Sequence, residues 1–138
     1  DADADAADKP AKKTNKGAPM GGPLNTSLLF FFDWDSNKLD KNSEDELKDI
    51  TKDIIKTHAE TKADFEIVIN GHADKTGTDE YNMELSRKRA EYVSRFMADH
   101  GISKTHITYY AFGKSDPMVD TPEGVKERKN RRVEIFLE

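Results

Sequence analysis

Gly71 to Arg89, GHADKTGTDEYNMELSRKR, decides how this chain is read: a strand ends, a tight polar loop turns, and a long helix begins within nineteen residues. Upstream, FEIVIN (Phe65 to Asn70) places apolar residues at Phe65, Ile67 and Ile69, the alternation of a half-buried strand. Downstream, Leu85, Val93, Phe96 and Met97 recur at helical spacing between Glu80 and His100, and Gly101 follows as a C′ stop. Two polar residues share the apolar stripe. At about 100° per residue, Asn82 and Arg89 lie within roughly 20° of each other and on the side of Val93 and Phe96. Both therefore face the sheet. An inward guanidinium needs a partner, because an unpaired buried charge is costly, and Asp74, just before the helix, is the nearest candidate. Asp74, Asn82 and Arg89 would then converge at one mouth. A carboxylate, an amide and a guanidinium complement a zwitterion; the same residues would also serve a plain Asp–Arg bridge that pins helix to loop.

The rest of the chain supplies the layers around this unit. LLFFFDW (Leu28 to Trp34) is a continuous apolar run suited to a central strand covered on both faces. Ser43 with Glu46 three residues on reads as a capping box, Asp45 adds negative charge to the first turn, and Leu47, Ile50, Ile54 and Ile55 form the buried stripe of a helix from about Ser43 to Ala59. HITYYAF (His106 to Phe112) alternates as a third strand. A Pro-punctuated loop, a short helix from Thr121 to Lys129 and a last strand from Arg132 to Leu137 complete the chain. The order β-α-β-α-β-(short α)-β implies an α+β sandwich, a mixed sheet of about four strands with two main helices on one face. The first strand, helix and second strand read as a parallel unit; strand order stays open.

Composition bounds the function. The 138 residues are one domain's worth of chain, with residues 1–26, rich in Ala, Asp, Lys, Gly and Pro, read as a disordered linker before a domain over residues 27–138. The formal net charge of −5 and the pI of about 5.4 give no global field for nucleic acid. KERKNRR (Lys126 to Arg132) is a basic run without aromatic interleaving. No cysteine is present, which excludes disulfides, thiol catalysis and thiolate zinc sites, and no apolar run approaches the roughly 20 residues of a membrane span. Any lipid or membrane anchor would lie outside this sequence. His72 and Asp74 are two apart, but no second His lies at helix spacing, so no metal and no cofactor is expected.

GHADKTGTDEYNMELSRKRAEYV, taken with the final NRRVEIFLE, resembles the OmpA-like peptidoglycan-binding domain of outer-membrane proteins and peptidoglycan-associated lipoproteins. Gly71, His72, Asp74, Gly77, Tyr81, Asn82, Leu85, Ser86, Arg89 and Ala90 fall in register with that family's pattern, and Asn130, Arg131, Arg132, Val133 and Ile135 match its end. The resemblance covers about residues 28 to 138. It implies that Asp74 and Arg89 grip the free amino-acid end of diaminopimelate in a peptidoglycan stem peptide, with Asn82 in support. It further implies that Asp35 and Ser36, after the first strand, contact the ligand partly through backbone groups, and that Arg131 or Arg132, of which Arg132 is preferred, closes the mouth or pairs with acids. Lys114 stands where the family usually carries Glu. The implied role is noncovalent, non-catalytic attachment of the outer membrane to the wall from its periplasmic face, with a periplasmic Tol-type protein as a possible partner. Two other roles stay open: the wall-anchoring domain of an inner-membrane flagellar stator, and a wall hydrolase or metal-dependent enzyme. Against the last, a single Asp held ionised by an Arg is a poor general acid.

Overall fold

In a computed structural model, residues 27–138 are described; the expected linker, residues 1–26, lies outside them. The elements run β1 (Leu28–Phe31), α1 (Lys41–Thr61), β2 (Ile67–Gly71), α2 (Asp79–Asp99), β3 (Ile107–Ala111) and β4 (Arg132–Leu137), with single 3-10 turns at Lys104–His106 and Arg128–Asn130. The four strands form one mixed sheet in the order β1-β4-β2-β3. β4 is antiparallel to both β1 and β2, whereas β2 and β3 are parallel neighbours joined through α2.

Strand alternation sorts the sheet into two faces. Phe30, Phe32, Ile67, Ile69, Tyr109, Val133 and Ile135 enter a single core with Leu47 of α1 and Ala90, Val93 and Met97 of α2, and Ile50, Ile54 and Ile55 pack against it. Both helices thus cover one face, as the α+β reading expects. The intervening residues, among them Val68, Asn70, His72, Arg132, Glu134 and Phe136, take the opposite side. Small residues let α2 settle onto β2. A Cβ at Gly71 would stand 2.1 Å from the Ser86 carbonyl oxygen and 3.1 Å from the Ala90 Cβ, so only glycine permits this approach. Ser86 Oγ accepts the Gly113 N–H at 2.8 Å, tying the helix to the end of β3.

Three expectations need correction. β1 ends at Phe31 and is an edge strand with Leu28 and Leu29 exposed, because β4 inserts between β1 and β2. The first and second strands run the same way but are not neighbours. α1 begins earlier than its capping-box reading: Asp40 is the N-cap, its Oδ1 accepting the Ser43 N–H at 2.8 Å. The short helix over residues 121–129 does not form. Its amides are engaged elsewhere, Gly124 N–H by the Lys75 carbonyl and Glu127 N–H by Asp74, and Gly124 takes φ 84°, leaving only the 3-10 turn at Arg128–Asn130. α2 matches its reading, capped by Thr78, whose side chain accepts the Tyr81 N–H, and stopped at Gly101, φ 115°.

Candidate functional site

The loop Ala73–Thr78 lies between the C-terminal end of β2 and the N-terminus of α2, and the end of β1 and the segment before β4 pack around it. Arg89 is fully buried on the inward stripe of α2, as its spacing requires. Its Nε donates to the Ser36 carbonyl at 2.8 Å, Nη1 to the His72 carbonyl at 2.9 Å and Nη2 to the Asp33 carbonyl at 3.3 Å, while its guanidinium carbon stands 5.2 Å from the Phe32 ring centre. Three of its five N–H groups are thereby used. No carboxylate among the described residues lies within ion-pair distance of it. Burial pulls its pKa down to about 10 despite the opposing charge of Asp74, with Arg131 adding to the fall, so the group stays cationic at neutral pH.

Asp74 is buried at the start of the loop, but its ion-pair partner is not the expected one. Arg131 Nη1 lies 3.0 Å from Asp74 Oδ2, and Arg131 Nε donates to the Phe32 carbonyl at 2.9 Å. Oδ2 also accepts the Glu127 N–H at 3.1 Å; Oδ1 accepts the Thr76 hydroxyl at 2.7 Å and the Thr76 N–H at 3.3 Å. Burial alone would raise the Asp74 pKa. The Thr76 hydroxyl, the Glu127 amide and the Arg131 guanidinium outweigh it and hold the carboxyl below its ordinary value.

Asn82 is buried on the same stripe as Arg89; its Nδ2 donates to the Gly77 carbonyl at 3.2 Å, and its Oδ1 has no hydrogen-bond partner. Ser36 meets Arg89 through its carbonyl, with its hydroxyl turned to Lys38. Asp35 is exposed at φ 60° and lines a surface groove with Tyr81, Leu85 and Lys88; it touches Arg89 only through its charge. Arg132 does not join these residues. It is buried on the other side of β4, where Nη2 reaches Glu134 at 3.0 Å and the Asp116 carbonyl at 3.2 Å. Glu134 in turn lies 3.0 Å from His72 Nε2. The two-residue strand period explains the exchange: Val133 and Ile135 face the core, so Arg131 shares their side and Arg132 takes the opposite one. That period was available in NRRVEI and would have selected Arg131.

Lys114 straps the loop from above. Its Nζ donates to the Gly77 carbonyl at 3.1 Å and pairs with Asp79 at 3.3 Å and with Glu123. The Glu127 amide carried no signal in the sequence, since it reaches Asp74 across 53 residues; Thr76, two residues from Asp74, is a local turn contact that Asp74-Lys75-Thr76 itself could have suggested. Among the described residues no three His, Cys, Asp or Glu side chains gather as metal ligands, and no helix is long and apolar enough to cross a membrane.

The pattern of the OmpA family matches residues 31–131. Outer membrane porin F of Pseudomonas fluorescens is 30% identical over 121 residues, 88% of this chain and 36% of the porin. The peptidoglycan-associated lipoprotein of Pseudomonas aeruginosa is 31% identical over 126 residues, 88% of this chain and 71% of the lipoprotein. The chain thus spans about a third of the porin's length. Among solved structures, the peptidoglycan-associated lipoprotein of Burkholderia pseudomallei superposes with a TM-score of 0.69 at 27% identity, covering 80% of this chain and 89% of that one. The C-terminal domain of Helicobacter pylori MotB shares the fold, with a TM-score of 0.66 at 24% identity over 80% of this chain and 83% of the other. The curated relatives are a porin and a lipoprotein, not enzymes. With its α+β sheet, its α2 stripe and the match over residues 31–131, the chain belongs to the OmpA family.

Proposed function

We propose that this domain holds peptidoglycan noncovalently through the diaminopimelate residue of the stem peptide. The observation that carries the reading is Arg89: a buried cation that satisfies three N–H groups on main-chain carbonyls and has no carboxylate partner among the described residues. Two N–H groups, one on each terminal nitrogen, are left for a ligand carboxylate, the fork arrangement that makes arginine selective for that group. Asp74 supplies the opposite charge for the ligand's ammonium. A free amino-acid end carries both groups; a lysine side chain lacks the carboxylate.

The Asp74 carboxylate already accepts four hydrogen bonds, about its full capacity. A ligand ammonium must therefore replace one donor. Arg131 is the donor that can yield, because its departure leaves the loop's own bonds intact. Ligand entry is then an exchange in which Arg131 swings off Asp74 while Asn82 Nδ2, donating to the Gly77 carbonyl, holds the loop's far wall and leaves Oδ1 as a spare acceptor.

The peptidoglycan-associated lipoprotein and porin relatives support the reading that the domain ties the outer membrane to the wall from the periplasmic side; a periplasmic Tol-type partner belongs to the same proposal. A flagellar stator role is the second reading, favoured by the MotB fold likeness. The test is calorimetric titration with a soluble diaminopimelate-containing stem peptide against a lysine-containing control. Asp74→Ala and Arg89→Ala, verified as folded, serve as paired variants. Selective binding that both variants lose supports the reading; equal affinity for the two stems, or binding untouched in both variants, refutes it.

A further inference from the structure

We propose that Trp34, in the exposed turn that follows β1, is the positioning residue for Asp74, working through two separate arms that both end on the carboxylate. The proposal rests on the reading of Asp74 as a ligand-binding group. Trp34 is the chain's single tryptophan and is 49% exposed, so core packing does not account for it. Both its polar edge and its ring face are engaged.

The first arm runs through the indole edge. Trp34 Nε1–H donates to Thr76 Oγ1 at 3.1 Å, and the Thr76 hydroxyl donates to Asp74 Oδ1 at 2.7 Å. An indole N–H can only donate, and a hydroxyl has one proton. The direction of the chain is therefore set: the indole N–H fills one of the threonine's two lone pairs, the hydroxyl proton goes to the acceptor-only carboxylate of Asp74, and each bond polarises the next.

The second arm runs through the ring face. Lys126 Nζ lies 4.0 Å from the centre of the Trp34 ring, and Arg128 lies 5.0 Å from the centre of the Phe31 ring. Between these two cation–aromatic contacts sits Glu127, whose N–H donates to Asp74 Oδ2. The segment 126–128 forms no regular helix that would orient this amide; the end of β1 orients it instead. Trp34 thus fixes one donor to each oxygen of Asp74.

The charged groups acting on Asp74 are Arg131 from the segment before β4 and Arg89 from α2, while Lys126 is held on the Trp34 ring. On its own loop Lys75 is turned to Asp120. The Glu127 side chain is directed to the Lys129 N–H, and Asp35 acts on Arg89. None of these changes when the indole N–H alone is removed. Trp34→Phe keeps a ring for Lys126 and deletes the first arm, Thr76→Val deletes the hydroxyl, and Thr76→Ser restores it.

The deciding experiment follows the Asp74 carboxyl carbon by NMR through a pH titration of the domain, which requires no ligand. The Asp74 midpoint is expected to rise in Trp34→Phe and in Thr76→Val, in the latter on the order of one pH unit, the size of one charge-assisted hydrogen bond. Thr76→Ser should return the wild-type midpoint. The acid limb of stem-peptide binding should move with it, and the fluorescence of Trp34 should titrate at the Asp74 midpoint in the wild type but not in Asp74→Asn. Midpoints unchanged in both Trp34→Phe and Thr76→Val, with only melting temperature affected, would overturn the proposal. A wild-type domain that binds no stem peptide would sink the peptidoglycan reading, and the Asp74 titration would still decide whether the two arms act on the carboxylate.

Discussion

Arg131 Nη1 sits 3.0 Å from Asp74 Oδ2, while Arg89 on α2 spends its hydrogen bonds on the carbonyls of Asp33, Ser36 and His72. The two arginines divide the work: one neutralises the carboxylate, and the other, in the function proposed above, is left for a ligand carboxylate. Removing Arg131 is expected to free Asp74 for a ligand ammonium. Arg131→Gln should bind stem peptide more tightly than wild type, by up to about 10-fold for a net gain near 1.4 kcal/mol. Calorimetry checks this, and weaker binding in the variant would place Arg131 in the ligand's grip instead.

Arg89→Lys keeps the charge and loses the fork. An ammonium on a flexible stem cannot reproduce three fixed bonds to three separated carbonyls. With each charge-assisted bond contributing about 1.5 to 3 kcal/mol, the variant should lose at least about 10-fold in stem-peptide affinity and about 2 kcal/mol in stability. Denaturant unfolding and titration on the same sample measure both; an unchanged affinity would assign Arg89 to structure alone.

Gly71→Ala tests the contact that seats α2 on β2. The added methyl would meet the Ser86 carbonyl oxygen at 2.1 Å, and neither backbone can retreat without disturbing β2 or the helix. An overpacking cost of about 1 to 3 kcal/mol is expected in urea unfolding. Because Arg89 lies one turn beyond Ser86, stem-peptide affinity should fall as well.

The pH dependence of stability follows from His72 and Glu134. Burial penalises the Glu134 charge, but the hydrogen bond from His72 and the Arg132 guanidinium outweigh it, holding Glu134 at about 2 against an ordinary 4.5. Burial also lowers the His72 pKa from its ordinary 6.5, with the bond to Glu134 opposing. Both depressed groups bind protons more readily when unfolded. Stability is therefore full above about pH 6.5, falls as His72 protonation favours the unfolded chain, and falls further as pH drops from 4.5 towards 2 through Glu134. Glu134→Gln should cost about 1 to 3 kcal/mol at pH 7 and flatten the limb below pH 4.5. Urea midpoints at pH 7, 5.5, 4 and 3 provide the check, and parallel wild-type and variant curves below pH 4.5 would refute it.

What the sequence determined by itself was whatever depends on local period. A repeat of 3.6 turned Asn82 and Arg89 towards the sheet, alternation set the faces of β2 and β3, and Gly101 stopped α2, because each follows from backbone geometry within a few residues. Tertiary structure decided the pairings across the chain. Whether LLFF became a central or an edge strand depended on where β4 inserted, 100 residues later. Whether residues 121–129 coiled into a helix depended on Asp74 and Lys75 capturing their amides. Asp74 took Arg131 rather than Arg89 because α2 places Arg89 against two carbonyls beyond β1 and one beyond β2, while the segment before β4 carries Arg131 to the loop. Local propensity is indifferent to these choices; the long-range contacts that make them arise only when the sheet closes.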